Sequence, residues 1–398
     1  MRILLLTNKP PAPPTDGSSI AMFNMAAGFI ANGVDLTLLT INTKKHFKPD
    51  SEVDPEFRKK SNYMSVYRNT DVSLAGALMN LFTDRSYFAS RFYFKEFEDK
   101  LVSVLKQKEF DVIQLESIFM GDYIPVIRKY SKAKIVVRTH NIEHMIWERM
   151  IGNEKNIAKK KYLSLQNSRL KMFEYWVLKE ADAIVPITAV DQKYFEGWNI
   201  QKPFYSSPTG LLLEKYKVDH SKETPVSVFH FGSMDWMPNE EAVLWFVNEV
   251  WRKVLTKQPK AKFYIVGRGI SQKVASIDVP GVVVVGAAGL PEEVYHQYSV
   301  MVVPLLSGSG MRIKLIEGMA YGKAVVSTTV GAEGIPVTDG KNCVVADEPS
   351  AFADGVVDLL SNESKRKALQ TEARAFAEMN YDNTTLVRNL LTFYKTLS

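Results

Sequence analysis

Arg312 and Lys314 follow the loop Gly308-Ser309-Gly310, and Glu317 stands one turn after Ile313. The apolar run Val300–Val303 predicts a buried strand ending at Pro304, and a helix is predicted from Met311 to Tyr321, closed by Gly322. Glycines on both sides of Ser309 let the backbone fold tightly against a ligand, and the N–H groups of a helix start attract an anion. Two cations in a first helical turn oppose the helix dipole, at a cost of about 0.3–1 kcal/mol each. A bound phosphate reverses that cost. Glu317 lies about 7–8 Å along the helix axis from Arg312, the reach from a diphosphate to a ribose, whose hydroxyls a carboxylate accepts. The chemistry these residues suit is therefore binding of a nucleotide diphosphate; the plainer reading is a buried helix with an Arg–Glu surface pair.

Other residues stand where strands are predicted to end. Lys134–Arg138 runs into Thr139-His140-Asn141-Ile142-Glu143-His144. A histidine just past a parallel strand points into a cleft, and H-N-I-E-H lacks the H-E-x-x-H zinc spacing, so no metal is expected. Val226–Phe231 runs into Gly232–Asn239, where Gly232 permits close backbone approach. Lys262–Val266 ends at Gly267-Arg268-Gly269, and Arg268 suits stacking on a base, pairing with phosphate, or a surface ion pair. Asp16-Gly17-Ser18-Ser19 follows the first strand, Arg2–Thr7, at a helix start; it reads as a ligand loop or as simple capping.

The elements needed to position these residues are those of an α/β chain. Arg2–Thr7, a helix over Ile20–Ala31 and Asp35–Thr40 make the opening of a Rossmann-like sheet, although the loop between lacks G-x-G-x-x-G. Strands are predicted at Val112–Leu115, Ala183–Pro186, Val282–Gly286 and Ala324–Ser327, and helices over 153–179, 240–251 and 383–397. Aromatic residues between Tyr87 and Phe97 read as helix packing. The 398 residues, with 46% apolar content, suit two domains joined near Lys202–Pro208. The single cysteine, Cys343, excludes an internal disulfide. No signal-peptide pattern opens the chain and no apolar run spans a bilayer, so a cytoplasmic protein is expected.

Of 50 Lys and Arg against 44 Asp and Glu, residues 1–200 carry 29 against 23 and residues 201–398 carry 21 against 21. The whole excess of six therefore sits in the first half. Clusters such as Lys159-Lys160-Lys161 suit a solvated face, an anionic membrane surface or a diphosphate-linked acceptor. No zinc spacing or RNA-binding aromatic motif accompanies them, so nucleic acid is not an expected partner.

The run SGSGMRIKLIEGMAYGKAVVSTTVGAEGI, residues 307–335, resembles the donor-binding segment of the retaining family-four glycosyltransferases of GT-B fold. The resemblance implies two Rossmann-like domains facing across a cleft: residues 1–205 for the acceptor, 206–380 for the nucleotide sugar, and a helix over 381–398 crossing back to the first. It implies that Glu317 grips the ribose. The family's other glutamate, eight positions earlier, is Ser309 here, and the arginine and lysine common in the Gly232 loop are absent. Arg312 and Lys314 then carry the diphosphate, with Gly232, Asp235, Arg268, Gly308 and Gly310 around the donor. His140 holds the acceptor or a sugar hydroxyl, and Asp16, Gly17 and Ser18 meet acceptor or phosphate.

The function implied is transfer of a sugar from a nucleotide-diphosphate sugar to a glycan or lipid-linked acceptor in cell-surface polysaccharide assembly. Configuration is kept, no cofactor is needed, and the protein associates peripherally with the membrane. A nucleotide-sugar epimerase of similar build and a non-catalytic nucleotide-sugar-binding protein are the alternatives. The base, sugar, acceptor and linkage are not fixed by these residues.

Overall fold

Continuous apolar runs such as Ile3–Leu6 and Tyr298–Val303 are buried throughout, the pattern of strands covered on both faces by helices. The structure, a computed structural model, describes every residue except Asn153, Ala288, Ser309 and Ser398, with the backbone alone at Leu74. The chain forms two units, Met1–Gly210 with Asn383–Ser398, and Leu211–Asp382.

In the first unit, β1 (Arg2–Thr7), β2 (Asp35–Thr43), β3 (Met64–Arg68), β4 (Val112–Glu116), β5 (Lys134–Thr139) and β6 (Ala183–Pro186) form a parallel sheet in the order β3-β2-β1-β4-β5-β6. In the second, β7 (Thr224–Phe231), β8 (Lys262–Val266), β9 (Val282–Gly286), β10 (Tyr298–Val303), β11 (Ala324–Ser327) and β12 (Val344–Val345) repeat that order as β12-β11-β10-β7-β8-β9, all parallel. Strand order reverses between β1 and β4 in one sheet and between β7 and β10 in the other. In open parallel sheets, ligands bind beyond the carboxyl ends of the strands at such a switch. Two sheets of this order form the GT-B architecture.

The last helix, Asn383–Lys395, belongs to the first unit. Its Val387, Leu390 and Tyr394 are buried in one cluster with Phe29, Leu36 and Leu38. It packs close to the Gly17–Ala31 helix: a Cβ on Gly28 would fall 2.5 Å from Val387 Cγ2.

Three readings from sequence change. The helix expected over 153–179 is a single helix over Ile157–Glu180, starting later at the cap Asn156, whose side chain accepts from Lys159 N at 3.0 Å, and a separate helix covers Glu143–Gly152. The helix expected from Glu240 starts at Met237, with Pro238 in its first turn, where a missing N–H costs nothing. Strand β3 had no apolar run to announce it because it is an edge strand, half buried at best. Among the aromatics after residue 86, Phe88, Phe92, Phe94 and Phe97 are core. Cys343 is buried. Among the described residues no helix is long and apolar enough to cross a membrane.

Candidate active site

Both groups of chemistry-bearing residues gather at the carboxyl ends of strands flanking the switch points. In the second unit the loop after β10 leads into a helix over Ile313–Ala320, with Arg312 at its N-cap. Leu315, Ile316, Met319 and Ala320 bury one face. Lys314 and Glu317 are part-buried, Lys314 turned toward Asn239 beyond β7 and Glu317 toward Tyr216.

Lys314 Nζ donates to Asn239 Oδ1 at 2.5 Å, and Asn239 Nδ2 donates to the Ser233 carbonyl at 2.7 Å. A Cβ on Gly232 would lie 2.6 Å from Lys314 Nζ. Gly232 is thus the residue that lets the ammonium reach the β7 end. Gly267 is needed in the same way: its φ is +148°, and a Cβ there would sit 1.8 Å from the Gly232 carbonyl oxygen. Arg268 Nε donates to Ser233 Oγ at 3.2 Å, and Ser233 Oγ donates to Asp235. Both Arg268 and Asp235 are exposed.

Arg312 is buried, its guanidinium 3.7 Å from Glu333 and 5.7 Å from the centre of the Trp236 ring; Lys314 Nζ stands 5.9 Å from the same ring. Trp236 and both cations therefore form one group. Gly308 has φ +118°, and a Cβ there would meet Arg312 Nη2 at 2.9 Å. Gly310 also takes a positive φ, +76°. Ser309 lies outside the described residues.

Burial, and then the Arg312 charge, push the Lys314 ammonium down to about 7. Burial pushes the Glu317 carboxyl up to about 7, against the pull of a 3.0 Å hydrogen bond from Tyr216 and of Lys314. An anion beside Lys314 would restore its proton, and hydroxyl donors at Glu317 would restore its charge. The pair is poised for a ligand that is anionic at one end and rich in hydroxyls at the other.

In the first unit, Glu116 ends β4 opposite Arg138 of β5. His140 Nε2 lies 2.6 Å from Glu116 Oε2, and Arg138 Nη1 donates to the same oxygen at 3.1 Å. Gln114 Nε2 donates to Glu116 Oε1 at 2.5 Å, and Gln114 Oε1 accepts from the Tyr394 hydroxyl of the last helix, also at 2.5 Å. Burial would raise the Glu116 carboxyl, but Arg138 and these donors hold it below the usual carboxylate range. Burial keeps His140 below the usual imidazole value despite Glu116. A neutral ring must then donate from Nε2 to Glu116, leaving the Nδ1 lone pair, 3.4 Å from Ser18 Oγ, as the acceptor. Ser117, next in chain, has φ +126°, a strained value for a residue with a Cβ.

Of the loop after β1, Ser18 reaches His140, while Asp16 caps the helix that Gly17 starts, accepting from Ser19 N at 2.9 Å. Burial alone would raise the Asp16 carboxyl; Lys9, at 2.7 Å, brings it to about 2. His144 turns elsewhere, its Nδ1 meeting Glu174 at 2.5 Å and its Nε2 the Tyr194 hydroxyl at 2.9 Å.

Sequence reasoning passed over Glu116, Arg138, Trp236, Asn239 and Tyr216. Glu116 carried a signal, a carboxylate closing an apolar strand. Tyr216 carried none.

Residues 225–362 match the model of a family described as Glycosyl transferases group 1. The chain is 25% identical over 294 residues, 71% of its length and 74% of the relative's, to an uncharacterized 44.6 kDa protein of the cps region of Klebsiella pneumoniae. Its fold is similar to that of sucrose-phosphate synthase from Thermosynechococcus elongatus, with TM-score 0.71 and 15% identity over 100% of this chain and 99% of that one. It is similar too to HepE of Anabaena in complex with UDP-glucose, with TM-score 0.64 and 13% identity over the whole of both chains. The chain thus has the GT-B fold, and the stretch that matches the glycosyl transferases group 1 model lies within its second unit.

Proposed function

We propose that this protein is a retaining glycosyltransferase that moves a sugar from a nucleotide-diphosphate sugar to a glycan or lipid-linked acceptor, without a metal. The observation that carries the reading is the second unit's helix start, where Arg312, Lys314 and Trp236 cluster and Glu317 stands one turn further on, bonded to Tyr216. Arg312, Lys314 and the amides around Gly308 and Gly310 hold the diphosphate; Glu317 accepts from the ribose hydroxyls; Gly232, Asp235 and Arg268 border the donor.

In the reaction the bond from the anomeric carbon to the diphosphate oxygen breaks, and negative charge grows on that oxygen. Fixed cations and N–H donors that strengthen their contacts as the charge develops lower the barrier. The acceptor oxygen bonds to the same face of the sugar, and its proton passes to the departing phosphate, as the family resemblance implies. His140, neutral and oriented by Glu116, accepts a hydrogen bond from a sugar or acceptor hydroxyl through Nδ1. Ser18 stands beside it. The cps-region relative supports a place in surface polysaccharide assembly, and the UDP-glucose bound to HepE makes uridine sugars the first donors to try.

The test is a thermal-shift panel of UDP-, GDP- and ADP-sugars, followed by product analysis with the donor that binds. One donor should raise the melting temperature. Glu317→Ala should then weaken its binding by about 1–3 kcal/mol, the worth of charged hydrogen bonds, and EDTA should leave turnover intact. A product of inverted configuration, or no donor bound, overturns the reading.

A further inference from the structure

Gln114 stands where the pattern of its strand calls for an apolar residue. Side chains alternate between the two faces of a sheet, and on β4 Ile113 and Leu115 enter the core cluster that holds Phe97 and Val177. Val112, Gln114 and Glu116 therefore share the other face, where Val112 packs in one cluster with Phe29, Leu390 and Tyr394. On β5, Val136 belongs to that same cluster, and Arg138, two residues on, stands in register with Glu116. Gln114 is fully buried, and a buried amide costs free energy unless its polar atoms find partners.

Both ends of the amide find one. The Tyr394 hydroxyl, itself buried, donates to Gln114 Oε1 at 2.5 Å, and Gln114 Nε2 donates to Glu116 Oε1 at 2.5 Å. Together the two bonds fix the amide in one sense. Turned over, Gln114 would set its carbonyl oxygen against the Glu116 carboxylate, acceptor against acceptor. With Glu116 Oε1 taken, Oε2 is left to Arg138 Nη1 at 3.1 Å and His140 Nε2 at 2.6 Å. A chain of hydrogen bonds thus runs from the last helix through the core to the imidazole, each bond polarising the next. Packing alone does not call for it. A leucine in place of Gln114 and a phenylalanine in place of Tyr394 would fill much the same space with no polar atom to satisfy.

We propose that Tyr394 is a positioning residue for His140, acting through Gln114 and Glu116, so that the last helix sets which ring nitrogen is offered to the substrate. While the amide is held, Glu116 keeps one oxygen on the Nε2 proton, and the Nδ1 lone pair is the one presented to a hydroxyl. Without the Tyr394 hydroxyl the amide can turn over, Glu116 loses a donor, and the two neutral forms of the ring mix. The inference rests on the role given to His140 above, but its first test needs no substrate.

The full chain is prepared with isotope-labelled histidine rings, and the His140 nitrogens are assigned in NMR spectra by their loss in His140→Gln. In the unaltered protein Nε2 should show the shift of a protonated ring nitrogen and Nδ1 that of an unprotonated one. Tyr394→Phe, which removes only the hydroxyl, should draw the two shifts together. Gln114→Leu with Tyr394→Phe removes amide and hydroxyl at once and should melt close to the unaltered protein. Its His140 shifts should stay altered, and kcat with the nucleotide sugar that binds should fall about ten- to a hundredfold with little change in KM. Unchanged His140 shifts in Tyr394→Phe, or a double variant of normal kcat, would overturn the proposal and leave Tyr394 a packing residue. Shifts that move while His140→Ala still turns over normally would uphold the relay and remove His140 from the transfer reaction.

Discussion

Lys314 and Glu317 are held near the middle of the pH scale by burial, and this sets how binding should depend on pH. Lys314 sheds its proton as pH rises through about 7 in the empty site, so a diphosphate must re-protonate it above that pH and affinity falls. Glu317 gains a proton as pH falls through about 7, so ribose hydroxyls lose their acceptor below it. Calorimetric affinity for a nucleotide-diphosphate sugar should peak near neutrality. Lys314→Met should remove the alkaline fall and Glu317→Gln the acid one; a flat profile in the unaltered protein would contradict the assignment. These two residues were legible in the sequence because their neighbours in space are neighbours in the chain: a glycine loop, two cations and a carboxylate on one helix. Tyr216, 101 positions from the Glu317 it bonds, left no such trace. The same holds for Glu116 and Arg138, which face each other only because β4 and β5 pair in that register.

At the scale of elements, the helix over Gly17–Ala31 and the last helix meet through one missing side chain. A methyl group on Gly28 would lie 2.5 Å from Val387 Cγ2 and 2.8 Å from Asn383 Nδ2, both on a buried face. Gly28→Ala should cost about 1–3 kcal/mol in denaturant unfolding, the usual toll of overpacking, and Val387→Ala added to it should recover part of that loss. A neutral effect would mean the helices can separate freely. The strands lining both switch points were readable as buried apolar runs, and the last helix was readable over 383–397, with Val387, Leu390, Leu391 and Tyr394 on its buried face. Of the four edge strands, β6 and β9 were readable, whereas β3, half-buried at best, and β12, two residues long, offered too few apolar positions to set a period. The start of the Ile157–Glu180 helix was placed early because the stretch before its cap, Asn156, is polar enough to pass for a helix surface.

Over the whole molecule, the second unit is one continuous stretch with a core of its own, from Val228 to Leu369. Residues 211–382 expressed alone should therefore unfold cooperatively, and donor at a hundred times its Kd should stabilise them by about 2.7 kcal/mol. Failure of this fragment to fold would show that its core is insufficient by itself. The first unit is different, since its sheet comes from the first 210 residues and one of its covering helices from residue 383 onward. During synthesis at about 5–20 residues per second, roughly nine to thirty-five seconds separate the two. For that interval the β-sheet side against Phe29 and Leu36 stays uncovered, while the intervening unit is already able to fold. The newborn chain thus completes its second unit first, and its opening half waits, oily and unfinished, for the final helix to arrive.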